Sequence, residues 1–268
     1  TLAATGRAQV DRAPINRAAV LATPGWTMAH RGNGTGGNTA EHSEFAYRQA
    51  VNRGYPVLEM SLARTSDGVW FGLHDQYLDR TSGVSGNVDP TTMTWAELTA
   101  NYQITNGADG IPRPYYRLDN LIAAYGSTHV LMLDPKYRHS SHRTEFLDIC
   151  EDIGAEHVMV KFFYTESSLA TAAAARGLSS WGYAYEADLT DPNLSSRLAP
   201  WTLLGMEYGA SSGAWSTIKS YGKPVIAHQL KETMVSGGDV AVYTRPPDAA
   251  GLVERVLELA DDPARRQA

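Results

Sequence analysis

The chain has 268 residues, of which 43% are hydrophobic and 19% carry a formal charge. These proportions are typical of a soluble globular protein that buries a large core without disulfides or structural metal ions. The formal net charge of -6 argues against a general attraction to nucleic acid or to anionic membranes. We therefore expect no nucleic-acid partner, and a phosphate-binding function requires positive charge concentrated at its site.

Two further features limit the class of protein. Cys150 is the only cysteine, which excludes an intramolecular disulfide but does not identify the cellular compartment. No run approaches the roughly 20 consecutive apolar residues of a membrane-spanning helix, so we expect no integral membrane segment. A secreted and a cytoplasmic protein both remain open, and we expect a soluble monomer.

Strand-like and helix-like segments alternate along most of the chain. Residues 1–25, with arginines among alanines, are interpreted as an N-terminal arm on the outside of a domain spanning 26–268. Apolar runs predict strands at 26–30, 56–62, 128–134, 157–163, 179–185, 201–207, 223–228 and 240–244. Longer stretches predict helices at 43–53, 117–125, 141–153, 166–176, 212–221, 229–236 and 248–260.

This alternation indicates an α/β fold with a parallel sheet. Eight predicted strands at this length favour a single (β/α)8 barrel of the TIM type, with an open doubly wound sheet as the alternative. Residues 64–116 break the rhythm with several turn signals and one extended piece at 69–73. We interpret them as an insertion after the second strand, where barrel enzymes place specificity.

Polar residues occur towards the carboxyl ends of the second and third predicted strands. Because side chains alternate between the two faces of a strand, Glu59 and Ser61 are predicted to share the inner face of the second strand. Asp134 and Lys136 share one face at the end of the third. A carboxylate inside a barrel is costly unless it is paired or binds a cation. Oxygen ligands favour Mg2+ or Ca2+; a buried salt bridge between Glu59 and Lys136 is the alternative.

Histidines and further cations are predicted at the same end of the barrel. His30 and Arg31 end the first strand, and His74 ends the extended piece of the insertion. Arginine and lysine suit a phosphate, and two histidines suit one proton taken and one proton given. Three residues at the ends of later strands are weaker candidates for a substrate pocket, with an ordinary strand end as the alternative: Lys161, Glu207 and His228.

Short motifs follow one another in order along the chain. They are Ala29-His30-Arg31-Gly32 with Glu41-His42-Ser43, Leu58-Glu59, Ser66-Asp67-Gly68, His74-Asp75 with Leu78-Asp79-Arg80-Thr81, Ile111-Pro112, and Tyr243-Thr244-Arg245-Pro246. As an ordered set they resemble the glycerophosphodiester phosphodiesterase family. The resemblance runs from about Thr27 to Pro246 and is dense in the first third of the chain.

The resemblance implies a metal-dependent phosphodiesterase that hydrolyses glycerophosphodiesters or related lysophospholipids. A neighbouring hydroxyl attacks phosphorus in line and expels the alcohol, and the resulting cyclic phosphate reacts with water or leaves. A divalent ion, Ca2+ or Mg2+, lowers the pKa of that hydroxyl. The implied roles are acid–base catalysis by His30 and His74, phosphate binding by Arg31 and Lys136, and metal binding by Glu59 and Asp134.

Two positions depart from the family pattern. Ser61 stands where the family has an aspartate ligand, and Asp134 stands where it usually has glutamate. The sequence Asp134-Pro135-Lys136 resembles the spider-venom phospholipase D branch, a barrel that forms cyclic phosphates. Because serine is shorter than aspartate and neutral, we expect Ser61 to weaken metal binding.

Three functions follow from these observations. The first is the metal-dependent hydrolase, and the second is a cyclising lyase of the phospholipase D type, suggested by Asp134 and Lys136. The third is a catalytically impaired, phosphoester-binding barrel, suggested by Ser61. In each case the partner is a small-molecule or lysolipid phosphodiester.

Overall fold

The structure, a computed structural model, describes residues 15–23, 26–32, 40–228 and 240–244. The strands in these ranges are β1 (Thr27–Ala29), β2 (Val57–Arg64), β3 (Trp70–Gly72), β4 (Val130–Asp134), β5 (Val158–Phe163), β6 (Ser179–Ala184), β7 (Leu203–Glu207), β8 (Val225–His228) and β9 (Val240–Thr244). The helices are α1 (Arg17–Ala22), α2 (Glu44–Asn52), α3 (Asp79–Ser82), α4 (Trp95–Asn101), α5 (Leu118–Tyr125), α6 (Arg143–Ile153), α7 (Ser167–Ala175), α8 (Leu194–Leu198) and α9 (Ser212–Lys219).

The sheet curls into a barrel. Strands β1, β2, β4, β5, β6, β7 and β8 follow one another with every neighbouring pair parallel. Strand β9 lies between β8 and β1 and pairs with both in the antiparallel direction. The prediction of a barrel-type α/β fold is confirmed, but its last strand departs from the regular (β/α)8 pattern, in which all eight strands are parallel.

Because side chains alternate between the two faces of each strand, the buried apolar residues form two clusters, one between the sheet and the helices and one inside the barrel. Leu58, Met60 and Leu62 of β2 pack with the surrounding helices, as predicted. The intervening face looks into the barrel, where a second cluster fills the floor. That cluster contains Trp26, Met28, Val57, Val130, Met132, Met159, Trp181, Leu203 and Ile226. The barrel interior is therefore apolar near the amino ends of the strands, and its polar residues lie further along towards the carboxyl ends.

Helix α1 packs against the end of the barrel at which the parallel strands begin. Its Val20 is buried and packs against the interior cluster. The backbone N–H of Ile15 donates to Thr128 at 3.0 Å and that of Arg17 to Glu156 at 2.7 Å, both in loops that lead into strands. The described part of the predicted arm therefore packs on the barrel floor rather than lying outside the domain. Residues 1–14 lie outside the described ranges.

Within the segment 64–116, the chain turns back towards the barrel mouth at the carboxyl ends of the parallel strands. Strand β3 pairs antiparallel with β2, so the chain runs back along it, and the N–H of Leu73 donates to the carbonyl of Ser61 at 2.9 Å. A separate apolar cluster around Phe71, Leu78 and Leu98 stabilises the segment. His74, the residue after Leu73, is thereby held beside the part of β2 that contains Ser61.

The predicted strands agree with the observed ones within two residues at either end. Helix α8 was not predicted, because five residues are too few to show a helical period. The helices predicted at 229–236 and 248–260 lie outside the described residues. In the described part of the chain, no helix combines the length and hydropathy that crossing a bilayer requires.

Gly182→Ala is expected to lower the free energy of unfolding by about 1–3 kcal/mol, the usual cost of overpacking a core. A Cβ at this position would lie 2.5 Å from the ring of Trp201, whose indole N–H donates to Tyr164 at 3.0 Å and cannot easily move. Urea unfolding measures the change. Gly209→Ala, where a Cβ meets no atom within 4 Å, is the control. Equal unfolding midpoints for both variants would contradict the packing argument.

Candidate active site

The carboxylate of Glu59 lies at the centre of the barrel mouth and is fully buried. Its Oε2 accepts a hydrogen bond from the backbone N–H of Arg31 at 2.7 Å. Its Oε1 accepts from the hydroxyl of Ser61 and from the ammonium of Lys161, both at 3.0 Å. The Nε2 atom of His30 lies 3.9 Å from Oε2. The Glu59 carboxylate thus contacts groups from the turn after β1, from β2 and from β5.

Asp134 is the second buried carboxylate of the site. Its Oδ2 lies 2.7 Å from the Nζ of Lys136 and 3.7 Å from the Nζ of Lys161. The Lys161 ammonium is therefore within 4 Å of both carboxylates. The predicted alternative, a buried salt bridge of Glu59 with Lys136, is wrong in its partner: Lys161 pairs with Glu59, and Lys136 pairs with Asp134.

The neighbouring cations keep both carboxylates ionised. Burial acts to raise the pKa of Glu59, but neighbouring charges, with that of Lys161 the largest, outweigh burial and hold that pKa well below its ordinary value. Burial likewise acts to raise the pKa of Asp134, and the two lysines lower it. Burial lowers the pKa of Lys136, against the opposing effect of Asp134. The site is therefore a cluster of compensating charges.

The turn after β1 is shaped by left-handed backbone conformations. Arg31 has a φ of 55°, which costs a non-glycine residue about 1 kcal/mol, and its N–H bond to Glu59 offsets that cost. Gly32 follows with a φ of 67°, and a Cβ there would lie 2.9 Å from the ring of Tyr47. The guanidinium of Arg31 lies 3.4 Å from Glu41. Its buried Nε finds no hydrogen-bond partner among the described residues, which leaves a donor for a ligand.

His74 is oriented by a chain of charged side chains. Its Nδ1 lies 2.9 Å from Asp75, which binds Arg80 at 2.5 Å, and Arg80 in turn binds Glu41 at 2.7 Å. Burial lowers the pKa of His74 to about 4, although Asp75 acts to raise it. At neutral pH the ring is therefore uncharged. Asp75 accepts a hydrogen bond from Nδ1–H of His74, so Nε2 carries the lone pair that can accept a proton.

His74 also lies within electrostatic range of the central cluster. The charges of Lys136 and Arg31 lower its pKa, and that of Asp134 raises it. His30 is tied to the same cluster through Glu59. The predicted histidines, phosphate-binding cations and carboxylates are thus brought together at one mouth of the barrel.

His42 and Tyr47 form a buried pair that was not predicted from the sequence. The Tyr47 hydroxyl donates to the carbonyl of Glu59 at 2.9 Å and lies 3.0 Å from the Nδ1 of His42. Because a hydroxyl has a single proton, Nδ1 of His42 must be the donor to it. Burial lowers the pKa of His42 to about 3, so the ring is neutral. The only signal in the sequence was the position of His42 in the motif that precedes α2.

The weaker candidates have different environments. Lys161 lies in the central cluster rather than at a rim. His228 is buried beside Tyr183 and Tyr185, and its Nε2 lies 3.2 Å from the carbonyl of Ala184. Glu207 accepts a hydrogen bond from the N–H of Glu186 at 3.0 Å and so fixes the loop after β6. Their role in a substrate pocket stays a prediction.

Comparison with protein families gives one match, in the amino-terminal part of the chain. Residues 30–129 match the model of the Glycerophosphoryl diester phosphodiesterase family. The matched segment contains His30, Glu59 and His74, whereas Asp134 and Lys161 lie beyond it. No protein of curated function matches the chain. The likeness to the spider-venom phospholipase D branch stays a prediction.

Several solved structures share the fold. A phosphodiesterase from Oleispira antarctica, solved in complex with the product sn-glycerol-3-phosphate, is 18% identical; the match covers 88% of this chain and 96% of that one, with a TM-score of 0.59. A glycerophosphodiester phosphodiesterase from Thermotoga maritima is 16% identical over 81% of this chain and 86% of its own, with a TM-score of 0.58. The enzyme from Agrobacterium tumefaciens is 16% identical over 75% and 85%, with a TM-score of 0.56.

The arranged side chains do not fit the divalent ion that the family resemblance implies. Ser61 donates its hydroxyl proton to Glu59, and the Lys161 ammonium already lies within 4 Å of both Glu59 and Asp134. An ion held by these two carboxylates would meet a like charge at close range. Across the described residues, no cluster of three or more histidines, cysteines or carboxylates is arranged to hold a metal. Binding of Ca2+ or Mg2+ stays a prediction.

We expect the ring of His74 to remain neutral down to about pH 4, because burial disfavours its charged form. An NMR titration of histidine-labelled protein, with the signal assigned by His74→Gln, measures the midpoint. In the denatured protein the same signal should titrate near 6.5, the ordinary histidine value. A folded-state midpoint at or above 6.5 would contradict the structure of this part of the site.

Proposed function

We propose that this protein is a phosphodiesterase that cleaves glycerophosphodiesters or related lysophospholipids, with His30 and His74 as its acid–base pair. The observation that carries the proposal is the convergence of two histidines and several cations on buried carboxylates at one barrel mouth. The family match over residues 30–129 supports a phosphodiester substrate. The related Oleispira antarctica structure, which holds sn-glycerol-3-phosphate, supports a glycerol phosphate moiety.

Arg31 and Lys136 are the proposed phosphate ligands. Arg31 has a buried Nε that finds no protein partner in the described part of the chain. Lys136 is partly exposed and donates to Asp134 at 2.7 Å, which leaves further N–H groups of its ammonium for a ligand. Charge-assisted hydrogen bonds from such groups to phosphate oxygens are among the strongest that proteins make.

His74 is the proposed base. With Nδ1 held by Asp75, its Nε2 accepts the proton of the hydroxyl next to the phosphate. The hydroxyl oxygen forms a bond to phosphorus while the bond from phosphorus to the leaving alcohol breaks. His30, whose Nε2 lies 3.9 Å from the Glu59 carboxylate, is the proposed acid and gives a proton to the leaving oxygen. The cyclic phosphate is then opened by water with the two histidine roles reversed, or it is released.

His30→Ala and His74→Ala are each expected to lower kcat by about 10²- to 10⁴-fold, the usual contribution of general acid–base catalysis. Hydrolysis of glycerophosphocholine, followed by phosphorus NMR, measures turnover and product together. His129→Ala is the control, because His129 precedes β4 at the opposite end of the barrel. Turnover retained in either site variant would remove that histidine from the proposed role.

The same spectra separate the three functions considered from the sequence. Accumulation of a cyclic phosphate identifies the cyclising lyase, and free glycerol phosphate identifies the hydrolase. A protein that binds glycerol phosphate in calorimetry but turns over no phosphodiester is the non-catalytic barrel.

Asp75 is a positioning residue for His74, so Asp75→Asn is expected to lower kcat by at least about tenfold. Because Asp75 acts to raise the pKa of His74, the variant should also move the NMR midpoint of His74 below about 4. Asp119→Asn, at an exposed carboxylate on α5, is the control. A loss of thermal stability with an unchanged His74 midpoint would reduce Asp75 to a structural role.

A further inference from the structure

We propose that the ammonium of Lys161 takes the place of the divalent cation at this site, so that the reaction does not depend on metal. The catalytic part of this inference rests on the proposed function, whereas the position of the ammonium can be tested without turnover.

The backbone places Lys161 between the two carboxylates. Val160 of β5 pairs with Leu133 of β4, so the next residues along, Lys161 and Asp134, lie side by side on the inner face. The Nζ of Lys161 reaches 3.0 Å from Glu59 on one side and 3.7 Å from Asp134 on the other. A cation that bridges carboxylates from two strands is the arrangement expected of a metal ion, and here the bridging cation is covalently part of the chain.

The surroundings of Lys161 hold its ammonium in this position. The residue is only 6% exposed. Its Nζ lies 5.4 Å from the ring centre of Trp181 and 5.7 Å from that of Tyr183, distances at which aromatic faces attract a cation. A buried lysine is costly unless it is paired, and the two carboxylates supply that pairing. Lys161 is therefore a fixed charge rather than a mobile surface side chain.

Ser61 completes the charge balance. An aspartate at this position would give three carboxylates, which with a divalent ion sum to a charge of -1 when the neighbouring Arg31 and Lys136, common to both cases, are left out of the count. On the same count, serine leaves two carboxylates, Glu59 and Asp134, which with the single ammonium of Lys161 also sum to -1. The Ser61 hydroxyl also donates to the same Glu59 oxygen that accepts from Lys161. Serine in place of aspartate at position 61 removes one negative charge, and the Lys161 ammonium in place of a divalent ion removes one positive charge. The two differences from the family pattern therefore balance each other.

The ammonium can assist the reaction without being consumed. It has three N–H donors, and its contacts with Glu59 and Asp134 use at most two of them among the described residues. The remaining donor is available to a phosphate oxygen or to the attacking hydroxyl. Lys161 keeps its proton while the oxygen–phosphorus bond forms and the bond to the leaving alcohol breaks, so its role is electrostatic.

Metal binding by the intact protein provides the first test. In calorimetry with Mg2+ alone and with Ca2+ alone, we expect no binding to the wild type at millimolar ion. The double variant Lys161→Ala with Ser61→Asp removes the ammonium and restores a carboxylate, so it should bind either ion at least tenfold more tightly. Ser61→Asp alone should gain less, because the ammonium remains. Lys219→Ala, at a lysine on α9 that contacts Trp215, is the control and should match the wild type.

Turnover provides the second test. Wild-type hydrolysis of glycerophosphocholine should be unchanged after dialysis against a chelator, and the double variant should turn over only with added ion. A wild-type rate that falls more than tenfold on chelation and recovers with Mg2+ or Ca2+ would overturn the proposal. So would binding of either ion by the wild type at millimolar concentration.

Different results would refute the phosphodiesterase function and the proposed role of Lys161. Absence of wild-type turnover with and without metal refutes the phosphodiesterase function, and the calorimetric comparison still decides the role of Lys161. The double variant is checked for folding by circular dichroism. The wild-type chelation and titration results need no variant, so they decide the question even where the double variant does not fold.

Discussion

The interaction on which this barrel mouth depends is the neutralisation of one fully buried carboxylate, that of Glu59. Taking an ionised carboxylate out of water costs on the order of several kcal/mol unless donors replace the lost water. Here the donors are the N–H of Arg31, the hydroxyl of Ser61 and the ammonium of Lys161. Because they come from three elements, satisfying Glu59 fixes the strained turn after β1, the end of β2 and the inner face of β5 relative to one another.

Local patterns in the sequence predicted the architecture well. The alternation of Leu58, Met60 and Leu62 with polar residues correctly placed Glu59 and Ser61 inside the barrel, because side-chain alternation is a property of a single strand. The alternative considered for Glu59, a salt bridge with Lys136, named the wrong lysine, because that pairing depends on the register between separate strands. The antiparallel direction of β9 was not predicted for the same reason, because the pairing of strands that are distant in the sequence leaves no local sequence pattern.

One part of the site lies within the segment that matches the family model, and the other part lies beyond it. The part inside the matched segment, residues 30–129, contains the histidines and the chain of charged residues that orients His74. The part beyond it contributes Asp134, Lys136 and Lys161 from β4, the loop after it, and β5. The proposed acid–base pair thus lies within the segment that matches the family model, and both lysines of the site lie beyond it.

A chain of ion pairs links His74, the proposed base, through Asp75, Arg80 and Glu41 to Arg31, a proposed phosphate ligand. The positive charges of Lys136 and Arg31 lower the pKa of His74. A phosphate bound by these two cations, as proposed, would cancel part of their field and so raise the pKa of His74. In the proposed reaction, His74 is therefore a stronger base with the phosphodiester bound than without it.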